Sequence, residues 1–121
     1  MIDHIVLFVS DAAQYADFYE KLLAPLGYVK KVAYPTAVCF ANDEDGDSVW
    51  LESPKDGNPV VPSHVAFRAK DEAAVKAFHE AGLASGGTDN GAPGPRPNYG
   101  PTYYAAFIHD PDGNNIEAML S

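Results

Sequence analysis

The hydrophobic pattern starts almost at the first residue. Ile2 to Val9 is apolar and β-branched, which predicts a strand. Asp11 then offers a helix N-cap with Gln14 three residues on, as in a capping box. Tyr15, Phe18, Tyr19, Leu22 and Leu23 follow at helical spacing, and Pro25 and Gly27 close the helix. Short strands are predicted at Tyr28 to Val32, Ala37 to Ala41 and Ser48 to Glu52, with an Asp- and Gly-rich turn at Asn42 to Asp47. Lys55 to Pro62 holds Gly57 and two prolines and reads as a connector. The pattern then restarts. His64 to Ala69 is a strand, and Asp71 caps a helix carrying Val75, Phe78 and Ala81 that is expected to end at Gly82. Ala84 to Pro101 is dense in Gly, Pro and Asn, so a long loop is expected, with room for a short strand. Tyr103 to Ile108 and Asn115 to Leu120 are strands joined by the turn Asp110-Pro111-Asp112-Gly113.

The restart is a repeat. His4-Ile5-Val6-Leu7-Phe8-Val9-Ser10-Asp11 is answered by His64-Val65-Ala66-Phe67-Arg68-Ala69-Lys70-Asp71, and Phe18 and Glu20 by Phe78 and Glu80 at the same offset. Phe40-Ala41-Asn42-Asp43-Glu44-Asp45-Gly46 is answered by Phe107-Ile108-His109-Asp110-Pro111-Asp112-Gly113. A glutamate follows on each side, Glu52 and Glu117. Neither half can bury both a sheet face and a helix alone, so the two should share one core. The expected organisation is a single domain over residues 1–121. Within it, a first module of about residues 1–56, a linker of about 57–62 and a second module of about 63–121 follow from the repeat.

Strand alternation sharpens the chemistry. His4, Val6 and Phe8 share one face, and His64, Ala66 and Arg68 share the equivalent one. Trp50 lies with Glu52, and Asn115 with Glu117 and Met119. If these faces line a cleft between the halves, two imidazoles and two carboxylates converge, a donor set suited to divalent Zn, Ni, Fe, Mn or Co. Taken singly, a histidine at a strand start is more often a surface or cap residue, and a glutamate near a strand end is usually solvated. The symmetry is what raises the metal reading. The two Asp-Gly turns precede their glutamates by unequal distances, which leaves open whether Glu52 lines up with Glu117 or misses.

Composition limits the partners. The net charge of -9 disfavours nucleic acid and anionic membrane surfaces. Cys39 is the only cysteine, so no intrachain disulfide is possible, and a reducing, cytoplasmic location is expected. Met1-Ile2-Asp3-His4 has no basic start, so no secretion signal is expected.

The pieces Asp3-His4-Ile5, Ser63-His64-Val65-Ala66-Phe67, and Tyr103-Tyr104-Ala105-Ala106-Phe107 running into Asp110-Pro111-Asp112-Gly113-Asn114-Asn115-Ile116-Glu117 resemble the vicinal oxygen chelate superfamily. That group includes glyoxalase I, extradiol dioxygenases and the fosfomycin- and bleomycin-resistance proteins. The resemblance covers nearly the whole chain. It implies an α+β fold of two tandem βαβββ modules that form a cup-shaped mixed β-sheet around a divalent metal. It also implies that His4, His64 and Glu117 are ligands, with Glu52 a fourth in glyoxalase I-like members and not a ligand in dioxygenase-like ones. A homodimer is implied, with the modules paired within a chain or across the dimer.

By the same resemblance, the leading expectation is a glyoxalase I-like lyase or isomerase acting on a small carbonyl or hydroxy-acid compound through a metal-stabilised enolate, with Glu117 and then Glu52 as candidate bases. One alternative is a bleomycin-resistance-type binding protein for a cationic or aromatic molecule, which would use Trp50, Tyr99, Tyr103 and Tyr104. A dioxygenase-like or resistance-type transferase using His, His and Glu alone is the other. Arg68 and Arg96, the only arginines, are candidates for gripping an anionic substrate group, though a salt bridge or a plain surface role is as expected. Trp50 is a candidate pocket floor. Tyr104 is assigned to the cup and Tyr103 to the side of Phe107, which reads as core. His79 reads as helix surface, His109 as exposed and Cys39 as buried core.

Overall fold

The computed structural model describes residues 1–121. It consists of strand β1 (His4–Phe8), helix α1 (Ala12–Leu23), β2 (Val29–Tyr34), β3 (Ala37–Asn42) and β4 (Asp47–Glu52), then β5 (His64–Arg68), helix α2 (Glu72–Ala84), β6 (Thr88–Pro95), β7 (Tyr104–His109) and β8 (Asn115–Leu120). The strands form two four-stranded mixed sheets of order β1-β4-β3-β2 and β5-β8-β7-β6. In each sheet the first strand pairs parallel with the last, and the other pairs are antiparallel. The architecture is α+β with two open sheets built alike.

Both caps form as the sequence requires. Asp11 Oδ1 accepts from the Gln14 amide at 3.1 Å, and Asp71 Oδ1 from the Ala74 amide at 2.8 Å. A single 3-10 turn, Ala24–Leu26, follows α1, and Gly27 ends it at φ 92°. The second helix differs from expectation. It runs through Gly82 to Ala84 because Gly82 serves packing rather than termination: a Cβ there would lie 2.8 Å from Ile108 Cγ1 and 3.0 Å from Leu22. The loop expected after it, with room for a short strand, holds a strand of eight residues. Thr88–Pro95 pairs with β7 despite two glycines and two prolines. It can do so because β6 is an edge strand, where a missing N–H is tolerated, and because its register shifts around Gly91.

The two helix-bearing faces share one core of 23 buried residues, among them Tyr19, Leu22, Phe40, Leu51, Phe78, Ile108 and Ile116. The rings of Tyr28 and Phe67 meet edge to face across the halves, 5.4 Å apart. The Asp110–Asn114 turn bolts the halves together. Asp110 is 3% exposed. It accepts from the Asp112 and Asn114 amides, from Asn114 Nδ2, and at 2.5 Å from the Tyr19 hydroxyl of the other half. Asn114 donates to the Phe8 carbonyl and accepts from the Ser63 amide, so it ties the ends of β1 and β5 to one side chain. The Asp110–Asn114 stretch is thus mainly a structural clasp. No helix is long and apolar enough to cross a membrane.

Candidate metal centre

The core takes the helix side of each sheet, and the opposite faces carry the candidate chemistry. On β1, Leu7 is buried while Val6 and Phe8 remain 43% and 46% exposed. On β5, Phe67 is buried while His64, Ala66 and Arg68 face out. Because the halves join through their helix sides, the two His/Glu pairs do not meet within one chain. No three His, Cys, Asp or Glu side chains gather to hold an ion. The cleft between halves that the sequence allowed is therefore not formed by a single copy.

The second half holds an assembled group. His64 Nδ1 lies 2.9 Å from the Asn115 carbonyl oxygen, which can only accept, so Nδ1 carries the hydrogen. In the neutral ring Nε2 then presents a lone pair, and it lies 3.1 Å from Glu117 Oε1. Two lone pairs at that separation call for a proton or a cation between them. Two donors each about 2.1 Å from one ion, at right angles, are about 3 Å apart, so the spacing fits a shared divalent metal. Glu117 is 3% exposed, and its other oxygen accepts from the Tyr103 hydroxyl at 2.5 Å. Burial, then the hydrogen bond to Glu117, pushes the Tyr103 phenol up to about 12. His64 stacks near Phe107 at 6.4 Å, and the Arg96 guanidinium lies 5.4 Å over the same ring.

The first half is laid out differently. His4 Nδ1 is bonded to Asp3 Oδ1 at 2.7 Å, which again leaves Nε2 free for a ligand role. Register separates its glutamate, however. Glu117 lies across from Ala66, the second residue after His64. The matching residue across from Val6 is Trp50, and Glu52 lies two pairs further along, across from Phe8. Two residues of strand displace the carboxylate by about 7 Å. The sequence left open whether Glu52 lines up with Glu117; in this register it does not, which removes the symmetry argument for it as ligand and base. Glu52 instead lines a shallow cavity of about 400 Å³ with His4, Val6, Tyr34, Ala37 and Trp50. It also lines a second cavity, of about 620 Å³, under the connector with Phe8, Lys55 and Asn58.

Several other residues shift. Tyr104 shares its face with Ala106 and Ile108 and packs on the core, so the cup assignment passes to Tyr103. Counting outward from the Asp110–Asn114 turn would have found this, since His109 pairs with Asn115 and Phe107 with Glu117. Tyr99 is 60% exposed and sits edge-on to Tyr103, 5.4 Å away. Arg96 spends its donors on the carbonyls of Ala92, Gly94 and Pro95, which makes it a fastening of its own loop. Arg68 faces the His64 side and bonds only Ser121 Oγ, at 3.3 Å. His79 is 9% exposed, not helix surface, because its Nε2 reaches Asp89 at 2.8 Å. His109 is half-buried. Cys39 is buried, but across from Trp50 on the sheet face away from the main core.

The family model of the Glyoxalase/Bleomycin resistance protein/Dioxygenase superfamily matches residues 1–118. A glyoxalase/bleomycin resistance protein from Albidiferax ferrireducens T118 is 32% identical, over 98% of each chain, with a TM-score of 0.86. A putative glyoxalase from Bacillus halodurans is 19% identical, over 100% of this chain and 96% of its own, with a TM-score of 0.77. A lactoylglutathione lyase from Agrobacterium tumefaciens is 22% identical, over 98% of this chain and 92% of its own, with a TM-score of 0.72. No curated protein sequence matches the chain.

Proposed function

Because the chain belongs to the Glyoxalase/Bleomycin resistance protein/Dioxygenase superfamily, we propose that it is a divalent-metal-dependent enzyme acting on a small oxygen-chelating substrate, of glyoxalase-like lyase or isomerase type. The observation that carries this reading is the pair of opposed lone pairs on His64 Nε2 and Glu117 Oε1, 3.1 Å apart beside a buried carboxylate. His64 and Glu117 would hold the ion together with His4 from a second copy of the chain. A second copy is invoked because one copy does not gather three such donors. The bare apolar face around Val6, Phe8 and Tyr34 is a surface that such a copy would cover.

A divalent ion at this place supplies Lewis acidity toward a substrate oxygen. Glu117 takes a proton from the carbon beside that oxygen and returns it one carbon away. To act as that base Oε1 would have to release the ion as substrate arrives, while Tyr103 keeps Oε2 engaged and burial keeps bulk water from competing. Trp50 and Phe8 wall the first-half side, and Arg68 is a cation available to an anionic substrate group.

A second reading rests on Trp50. With that side chain where a fourth donor would stand, three protein ligands suit chemistry that uses His, His and Glu alone. The test is metal content. Protein purified without chelator should carry stoichiometric divalent metal that is lost in His4→Ala and in His64→Ala. Mixing the two variants should restore binding at half the sites of mixed dimers, because one of the two sites then keeps both histidines. Retained metal in His64→Ala would sink the ligand assignment, and failed complementation would sink the shared site.

A further inference from the structure

We propose that Tyr103 is a positioning residue that holds Glu117 so that only Oε1 faces His64 and the ion. This rests on the metal reading above. The phenol donates to Oε2 at 2.5 Å, and Oε1 is left 3.1 Å from His64 Nε2. A free glutamate can bind an ion through one oxygen or two, or swing away. A donor fixed on Oε2 leaves one-oxygen binding toward His64 as the favoured arrangement. Glu117 is 3% exposed, so solvent does not readily replace that donor.

The loop that delivers the phenol is built for the purpose. Its ends are tied by the Arg96 amide to the Tyr103 carbonyl at 2.8 Å, and a turn forms inside it from the Tyr99 amide to the Arg96 carbonyl at 2.9 Å. Arg96 fastens the loop to β6 through three carbonyls and lies over Phe107, the strand partner of Glu117. Gly91 leaves room for this, since a Cβ there would lie 2.8 Å from Phe107 and 3.1 Å from Arg96 Nη2. Tyr99 braces the Tyr103 ring from the side. Arg96 therefore acts through Tyr103 rather than on a substrate.

The test uses full-length protein loaded with Co²⁺, whose visible spectrum reports the carboxylate's binding mode. Tyr103→Phe should melt close to wild type, change that spectrum and weaken Co²⁺ binding by roughly tenfold. Arg96→Ala, which leaves Tyr103 in place but frees its loop, should shift the spectrum in the same direction by less. An unchanged spectrum and affinity in a folded Tyr103→Phe overturns the positioning role and leaves the metal site standing. Should that variant not fold, an unchanged spectrum in Arg96→Ala overturns it instead. Failure of wild-type protein to bind Co²⁺ overturns the metal reading and this inference with it.

Discussion

The two halves of this molecule have the same order of strands and helix and the same histidine at the same place, yet only one holds a glutamate of its last strand next to the imidazole. In the second half, Glu117 stands between His64, 3.1 Å from one of its oxygens, and Tyr103, which donates to the other. In the first, His4 leans on Asp3, Trp50 stands in the matching position and Glu52 lies two pairs beyond. Strand pairing and core packing constrain the helix-side face in both halves alike. The outward face is free of that constraint, so a repeated fold can carry a donor set on one side and an aromatic wall on the other.

The sharpest way to break the comparison is to remove each carboxylate. Glu117→Ala should abolish metal binding, whereas Glu52→Ala should leave it near wild type, as read by elemental analysis and calorimetric titration. Equal losses would mean the register argument is wrong. Next in size is stability. Tyr19→Phe removes the donor that joins the halves at buried Asp110 and should cost about 1–3 kcal/mol in urea denaturation. Tyr28→Phe loses only a partly buried bond to Asp47 inside the first half and should cost about 1 kcal/mol.

A smaller effect would sharpen the picture. Trp50→Glu puts a carboxylate where symmetry asks for one, and should tighten metal binding modestly or change the preferred ion in a panel of Zn, Ni, Co and Mn. No change would mean the first-half wall lies away from the ion. The smallest effect is with pH. Burial, then Asp110, raises the Tyr19 phenol well above the ordinary value, and burial, then Asp47, raises Tyr28. The folded chain keeps protons that the unfolded chain loses near pH 10, so stability is full below about pH 10 and falls as pH rises above it. Urea midpoints on either side of that pH should show the decline, and Tyr19→Phe should flatten it.

Much of this was legible in the chain. Alternation and the capping residues Asp11 and Asp71 point to a strand and a capped helix followed by further strands in each half, because strand and helix periods and N-cap bonds are local properties, and the family resemblance supplies the full βαβββ order. His64 and Glu117 could be named as a pair because an eight-residue stretch repeats itself with its histidine in place, and the strand period then assigns their faces. Gly82 and the Thr88–Pro95 strand were misjudged because composition reports a residue's freedom, not its neighbours. Gly82 is there for closeness to Ile108, and the prolines are tolerated because the strand is an edge. Tyr103 was hidden by a parity choice that the hairpin turn resolves. What only the tertiary structure decided is which faces the shared core consumes. The buried clasp at Asp110 and Asn114 joins the halves helix side to helix side. That leaves both imidazoles on outward faces, a consequence of long-range packing that no local pattern encodes.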